Sequence, residues 1–307
     1  MAWFEGFEKQ TLSVQGLPVT FRRSLDWQSD KPVLVLLHGF PQTHVMWHRV
    51  AQRLQDRYRI VMPDLRGYGD SSHDVGDALH AHYSKRAMAQ EVVSLLDALG
   101  VQDFFLCGHD RGGRVAHRLA LDHALRVKKL CVIDIAPTLD MYARTDMAFA
   151  QAYYHWFHLI QPAPLPEFMI GGNPQAYLHA KLGGWGSQGL GYIEPEALAE
   201  YERTFCNPAL NDKGWSAAIH SAAEDYRASA GIDLQHDRES RERDQKIACD
   251  TLVLWGERGV VNRMFKPLEL WQAQCAGQVS GQAVPAGHFI PEELPELTAQ
   301  ALANLMR

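Results

Sequence analysis

Leu106-Cys107-Gly108-His109-Asp110-Arg111-Gly112-Gly113-Arg114 is the segment that carries the chemistry of this chain. The apolar run Val101 to Leu106 ahead of it predicts a buried strand, and the periodic run through Val115, Leu119 and Ala120 behind it predicts a helix. Gly108, Asp110 and Gly112 therefore fall in a tight strand-to-helix turn, with the spacing of a nucleophile elbow that pushes its central side chain into a cleft. Here that residue is aspartate rather than serine. A carboxylate is ionised at neutral pH without an activating base and can displace a leaving group from carbon to give an ester. A serine protease or lipase is disfavoured.

Working outward, Leu12–Val14 and Val19–Leu25 read as two antiparallel strands joined at Gly16-Leu17-Pro18. The unbroken apolar run Val33–Leu37 has the pattern of a strand covered on both faces. It ends in His38-Gly39-Phe40-Pro41, followed by a helical pattern from His44 to Leu54. Arg59–Met62 is the next strand, opening into the turn-rich Pro63 to Ser71. Ser84–Leu99 is helix-periodic, with Ser84 as N-cap and Gly100 as stop. Val127–Ile135 reads as a strand that leads into Ala136-Pro137; Thr251–Trp255 and Val279–Val284 resume the rhythm, and Leu294–Met306 is a closing helix. Strands alternating with helices predict an α/β fold with a mostly parallel sheet and helices on both faces. In such sheets ligands lie beyond the carboxyl ends of the strands, where His38-Gly39, Asp110 and Asp134 all fall. From 138 to 247 the strand rhythm stops, and the chain is helical, aromatic-rich and punctuated by proline and glycine. This predicts a core over 1–137 and 248–307 with a helical cap, 138–247, inserted over the site. The charged run Asp237–Lys246 reads as a solvated return to the sheet.

Composition narrows the function classes. At 307 residues with 46% hydrophobic content the chain can bury a full core. A formal charge of -6 carries no basic footprint, so nucleic acid is not an expected partner. Met1–Gln10 lacks the basic start and apolar run of a signal peptide, and no stretch reaches membrane-spanning length. Five scattered cysteines without a CxxC pair fit reduced thiols, so a cytoplasmic location and no membrane association are expected. No metal is expected either, since HExxH is absent and His80-x-His82 reads as a loop pair; nor is there a nucleotide loop, so no cofactor is implied.

An aspartate nucleophile leaves an ester whose hydrolysis needs a base, an orienter for that base and an oxyanion hole. His288, in Pro285-Ala286-Gly287-His288-Phe289, follows the last strand and is the candidate base. Many hydrolases with this layout carry the orienting acid in Trp-Gly-x-x-Asp after the penultimate strand. Here Trp255-Gly256-Glu257-Arg258-Gly259 ends in glycine, which makes Asp134 the expected acid and Glu257 its runner-up. The backbone amides of Phe40 and Arg111 would form the oxyanion hole. Arg111 and Arg114, three apart at a helix start, share a face whose forks match a carboxylate, so the substrate is expected to be a small acid.

These motifs resemble the haloacetate dehalogenases, in particular the fluoroacetate dehalogenases, of the α/β-hydrolase superfamily. The resemblance runs through His38-Gly39-Phe40-Pro41-Gln42-Thr43, Asp64-Leu65-Arg66-Gly67-Tyr68-Gly69, the elbow and Asp134-Ile135-Ala136-Pro137-Thr138. It continues in His155-Trp156, Gln161 to Pro166, Glu224-Asp225-Tyr226-Arg227-Ala228 and Gly287 to Glu293. It implies an eight-stranded sheet, SN2 attack by Asp110 on the α-carbon, a carboxylate held by Arg111 and Arg114, and a departing halide bonded by His155, Trp156 and Tyr226. His288, oriented by Asp134, would then activate water and release glycolate, and the chain would act as a homodimer. Gly183-Gly184 beside Trp185, itself read as a core residue, and the unusual His158 are variations in the cap. Two rival readings stand beside this one. An epoxide hydrolase would use the same triad with Tyr153, Tyr154 and Tyr226, and a hydrolase-like protein could bind a small acid without turnover.

Overall fold

The run Val33–Leu37 becomes β3, a strand near the centre of the sheet with every residue buried, as a parallel strand covered on both sides requires. A computed structural model describes residues 3–207 and 215–307. Around β3 stand β1 (Phe7–Val14), β2 (Leu17–Ser24), β4 (Arg59–Pro63), β5 (Phe104–His109), β6 (Val127–Ile133), β7 (Asp250–Gly256) and β8 (Val279–Val284). They form an eight-stranded sheet in the order β1-β2-β4-β3-β5-β6-β7-β8. The β1–β2 and β2–β4 pairs are antiparallel and all others parallel.

Three boundaries differ from the sequence reading, each for a physical reason. β1 begins at Phe7, not Leu12, because its polar residues pair in full register with β2, Phe7 opposite Ser24. The hairpin turn is Gln15-Gly16, with φ of 53° and 83°, rather than Gly16-Leu17-Pro18; positive φ at both positions matches the twist of the flanking strands. β5 starts at Phe104, not Val101. Val101 instead closes the helix Lys85–Ala98: its N–H bonds to the carbonyl of Leu96 and that of Gly100 to Asp97, with Gly100 at φ 72°. Its apolar side chain thus belongs to the helix stop.

Helices α1 (His48–Leu54), α2 (Lys85–Ala98) and α3 (Asp110–Asp122) lie in the connections from β3 to β4, β4 to β5 and β5 to β6. Ser84 caps α2 as read, accepting from the N–H of Ala87. α2 packs on α3, which lies along β5 and β6, while α1 packs on the closing helix Pro295–Leu305, so the sheet is covered on both faces. Between β6 and β7 the described residues contain helices and no strand: α4 (Thr138–Ala143), α5 (Met147–Ala152), α6 (Tyr154–Leu159), α7 (Leu165–Gly171), α8 (Pro174–Leu182), α9 (Pro195–Phe205), α10 (Ala217–Ala230) and α11 (Ile232–Glu242). Residues 208–214, within the expected cap, and 1–2, within the N-terminal segment read as lacking a leader, lie outside the described residues.

The charged run at 237–246 is only in part the solvated return expected. Asp237 and Ser240 turn inward and bond Arg118 of α3, at 2.7 and 2.9 Å, which pins α11 to the core; Arg241 to Asp244 are exposed. Among the described residues all five cysteines are free, and no helix is long and apolar enough to cross a membrane. The same residues contain no group of His, Cys, Asp and Glu placed to hold a metal. His80 and His82 each face a carboxylate of their own, Glu224 and Asp74.

Candidate active site

β5 delivers Asp110 to the carboxyl edge of the sheet and α3 begins at that residue. Asp110 has φ 47°, a conformation that costs a non-glycine residue of order 1–3 kcal/mol and is held only by surroundings that over-determine it. Those surroundings are tight: a Cβ on Gly112 would lie 2.3 Å from the His38 carbonyl oxygen, so α3 can approach β3 only with glycine there. One carboxylate oxygen of Asp110, Oδ1, accepts the N–H of Phe40 at 2.9 Å. The amide of Arg111, in the first turn of α3, has no acceptor within the helix. Phe40 thus gives Asp110 one backbone donor, and the free amide of Arg111 at the helix start is the other donor expected for an oxyanion hole.

His288 stands opposite, between the end of β8 and the closing helix. Its Nδ1 lies 2.6 Å from Asp134 Oδ2, and its Nε2 lies 3.8 Å from Asp110 Oδ2, too far for a hydrogen bond, with no other partner. Asp134 follows β6 at φ 50°, and its Oδ1 accepts the N–H of Gly256 on β7 at 3.0 Å. The glycine at position 259 now has a structural account. A Cβ there would sit 3.3 Å from Asp134 Oδ1, so the place where an acid was missing borders the carboxylate that replaces it. Glu257 is exposed, and His288 Nδ1 pairs with Asp134.

The charges follow from this geometry. Burial opposes ionisation of Asp110, but the charges of His288, Arg111 and Arg114 outweigh it and hold its carboxyl below the usual range. Burial also opposes a charge on His288, yet the hydrogen bond and charge of Asp134, with the charge of Asp110, raise its proton affinity above that of a free imidazole. His109 beside the nucleophile is the reverse case: burial lowers it to about 3, and its Nε2 pairs with the His288 carbonyl oxygen at 2.8 Å.

Arg111 and Arg114 do lie on one face, but their forks are not free. Arg111 donates from Nε to Asp225 Oδ2 at 2.9 Å and from Nη2 to Asp225 Oδ1 at 2.7 Å and Ser229 Oγ at 2.6 Å. Arg114 donates from Nη1 to Thr138 Oγ1 and the Ala136 carbonyl and approaches Met141 Sδ through Nη2. What remains are single buried nitrogens without partners, Arg111 Nη1 and Arg114 Nε. Any anion between them is bonded once by each arginine rather than fork to fork.

Asp225 was not legible as a site residue. On α10 it gathers Arg111, Lys85 and the hydroxyl of Tyr68, and these cations hold its carboxyl far below the usual range despite burial. The one signal was a run of polar and charged residues, Glu224-Asp225-Tyr226-Arg227, in the middle of a helix whose flanks are mostly small. The next residue, Tyr226, turns to the other side. Its ring lies 4.1 Å from the Arg111 guanidinium, edge-on to Phe40 and to His155, and its hydroxyl has no partner. Trp156 lies under Arg114 at 4.8 Å. His155 stacks parallel to Phe40, and its Nδ1 is also unpartnered; burial and then the charge of Lys181 keep it neutral. Trp185, read as a core residue, instead stands between His155 and His288, at 4.6 and 5.2 Å between ring centroids. Of the tyrosines, Tyr153 is buried beside Trp156, whereas Tyr154 is half exposed and turned away.

Comparison with known proteins bears on this arrangement. A family model of the α/β hydrolase fold matches residues 32–295. The chain is 40% identical over 303 residues to a fluoroacetate dehalogenase from a Burkholderia species, covering 99% of this chain and 95% of that one. It is 30% identical to a soluble epoxide hydrolase from a Corynebacterium species, over 86% of each. Among solved structures, an α/β hydrolase from Nostoc sp PCC 7120 superposes with a TM-score of 0.91 at 48% identity, over 99% of both chains. The chain is a hydrolase, and by fold, motif and relatives it belongs to the haloacetate (fluoroacetate) dehalogenase family of the α/β-hydrolase superfamily.

Proposed function

We propose that this protein hydrolyses the carbon–halogen bond of small 2-haloacids such as fluoroacetate or chloroacetate, giving glycolate and halide. The observation that carries the reading is the pair of unpartnered, buried guanidinium nitrogens, Arg111 Nη1 and Arg114 Nε, beside the nucleophile. A buried donor left without a partner costs roughly 1–3 kcal/mol, more when charged, and a small carboxylate satisfies both at once.

With the acid so held, Asp110 Oδ2 attacks the α-carbon while Phe40 N–H keeps Oδ1 in place. The new C–O bond forms as the C–X bond breaks, and the halide leaves with the electron pair toward His155, Trp156 and Tyr226. These are neutral donors: burial leaves the Tyr226 phenol protonated and His155 uncharged. Fluoride is a poor leaving group, and several such donors stabilise the charge developing on it. His288 Nε2 then takes a proton from water, and the hydroxide adds to Cγ of the ester. The oxyanion forms on Oδ1 between the amides of Phe40 and Arg111. Collapse breaks the Cγ–Oδ2 bond, glycolate receives the proton held by His288, and the Asp110 carboxyl left carrying the added hydroxyl, acidic in this site, gives its remaining proton to solvent to restore the carboxylate.

The helices between β6 and β7 act in this reading as the cap over the site, the core being 1–137 and 248–307. The protein works without metal or cofactor, in the cytoplasm, as a homodimer; exposed Leu165, Phe168 and Met169 on α7 support a subunit contact, and sedimentation checks it. One feature favours an epoxide hydrolase: Tyr226 presents an unpartnered hydroxyl near Asp110 and Tyr153 is buried close by, as donors to an epoxide oxygen would be. A neutral epoxide would leave both arginine nitrogens unsatisfied. Halide release from fluoroacetate and chloroacetate, run beside hydrolysis of a neutral epoxide, separates the readings. Halide from the acids supports the proposal, epoxide turnover alone replaces it with the rival, and a bound acid that survives unchanged would indicate a binding protein.

A further inference from the structure

Glu292 lies in the short helix Ile290–Glu293, four residues after His288, and with Gln42 and Tyr201 it is at most 1% exposed. Its Oε2 accepts the side-chain N–H of Gln42 at 2.5 Å, and the Tyr201 hydroxyl bonds the same carboxyl. Two oxygens of the pair, Glu292 Oε1 and Gln42 Oε1, are buried without a hydrogen-bond partner. With Glu292 a carboxylate both are acceptors, and no donor reaches either. A carboxylic acid satisfies both at once: it pairs with a primary amide through two hydrogen bonds, N–H donating to one carboxyl oxygen while the acid O–H donates back to the amide oxygen. The bond from Gln42 is one half of that ring. Among the described residues no cation bonds the carboxyl. Arg49 of α1 donates to the Tyr192 carbonyl at 2.9 Å and to the main-chain carbonyl of Glu292, and its Nε faces Glu194 at 3.7 Å. The neighbouring groups are engaged elsewhere: His48 with Glu194 and His44 with Asp64, Glu293 with Arg258 and Ser187, Glu296 with Arg53. Tyr192 and Tyr201 are kept protonated by burial. Burial, with the charge of Glu194, outweighs Arg49 and pushes the Glu292 carboxyl up to about 8.

We propose that Glu292 is a carboxylic acid in the working protein, and that its two-point pairing with Gln42 positions the Phe40 amide relative to His288. Gln42 is two residues from Phe40, and its own N–H closes the turn back to the Gly39 carbonyl at 2.9 Å. The Phe40 N–H in turn holds Asp110 Oδ1. The pair therefore joins the loop that supplies an oxyanion donor to the segment that supplies the base. Gln42 and Glu292 are positioning residues, acting through Phe40 and His288. Loss of the proton removes the O–H bond and sets a buried carboxylate oxygen against an amide oxygen, so ester hydrolysis should fall at alkaline pH. The effect on hydrolysis rests on the haloacid reading; the proton on Glu292 does not.

Infrared difference spectra of the intact wild type against Glu292→Gln at neutral pH should show the carbonyl band of one protonated carboxyl, lost as pH rises through about 8. Thermal stability reads the same proton. Folding retains it between the ordinary 4.5 of a glutamate and about 8, so the wild type should lose stability relative to Glu292→Gln across that window and level off above it. In chloroacetate turnover Glu292→Leu, which can form neither bond, should lower kcat by about tenfold or more while the halide burst persists, short of the roughly 10²–10³-fold that loss of a whole oxyanion donor costs. Glu292→Gln forms an amide–amide ring of the same shape; it should restore most of kcat and lack the alkaline fall near 8. Absence of the band overturns the acid, and a Glu292→Gln profile with the wild-type alkaline fall overturns the positioning role. If the haloacid reading itself fails, no halide is released while the band still titrates with Glu292, which supports the ring and removes only its effect on hydrolysis.

Discussion

Replacing Asp225 by asparagine tests how the anion pocket is held. Four charges meet behind the site: Arg111 and Lys85 on one side, Asp225 and Asp233 on the other, with Lys85 Nζ 3.5 Å from Asp233 Oδ2. All are nearly or fully buried, so solvent does little to screen them. Asp225→Asn keeps the shape and leaves one positive charge without compensation. Breaking a buried pair from one side costs about 3–5 kcal/mol, because the remaining ion stays desolvated. With an unfolding entropy near 2.1 cal/mol/K per residue over 307 residues, that corresponds to a fall in Tm of roughly 5–8 °C. Adding Lys85→Met removes the surplus charge, so the double variant should recover more than half of the loss. The assay is chemical denaturation of the wild type, both single variants and the double variant, together with KM for chloroacetate. KM should rise in Asp225→Asn, as the two bonds that orient Arg111 weaken. A loss below about 1 kcal/mol, or strictly additive effects in the double variant, would refute the argument that the cluster acts as one charge-balanced unit.

Further predictions concern the elbow and the triad. Gly112→Ala should abolish stable folding or leave the protein inactive, since the added Cβ meets the His38 carbonyl oxygen and neither backbone can withdraw; wild-type expression and activity would contradict the close approach. His288→Gln should release one equivalent of halide per chain and then stall with Asp110 carrying a carboxymethyl ester, read by intact mass; continued turnover would remove His288 from the water step. The pH profile follows from the same residue: its folded proton affinity is raised and only the neutral form takes a proton from water. Deacylation should therefore fall as pH drops through the His288 pKa, above the value of free imidazole, while the halide burst persists because Asp110 stays ionised. Asp134→Asn should slow turnover by up to ~10⁴-fold, as loss of an orienting acid does, and adding Gly259→Asp should restore part of it. No recovery with a correctly folded double variant would show that position 259 cannot substitute for 134.

The sheet was largely legible because its central strands are apolar runs that no other element accommodates; Val33–Leu37 and Val279–Val284 appear with the boundaries read from sequence. Boundaries failed where an apolar residue served a helix stop, as Val101 does, or where polar residues paired along an edge strand, as in Phe7–Val14. Asp110, His288 and Asp134, expected together because each follows a strand end, do meet at one edge of the sheet, where strand ends converge. The vacancy at Gly259 pointed to Asp134 by elimination, and the close approach of the two shows why the choice was physical. The roles of Asp225 behind the site and of Trp185 beside His288 were not read, since their meaning lies in contacts made across the fold: Asp225 meets Arg111 over 114 residues of chain. No local pattern reports such a pairing. For the same reason the sequence could count the guanidinium donors of Arg111 and Arg114 but not say which of them were already used.

The most direct test of the account is a single turnover of chloroacetate in water enriched in oxygen-18, with enzyme in excess. Attack by Asp110 Oδ2 followed by addition of water at Cγ predicts unlabelled glycolate in the first turnover and one labelled oxygen in the peptide containing Asp110. Labelled glycolate from the first turnover, with an unlabelled Asp110 peptide, would mean that water attacks the substrate directly and would contradict the covalent aspartyl mechanism.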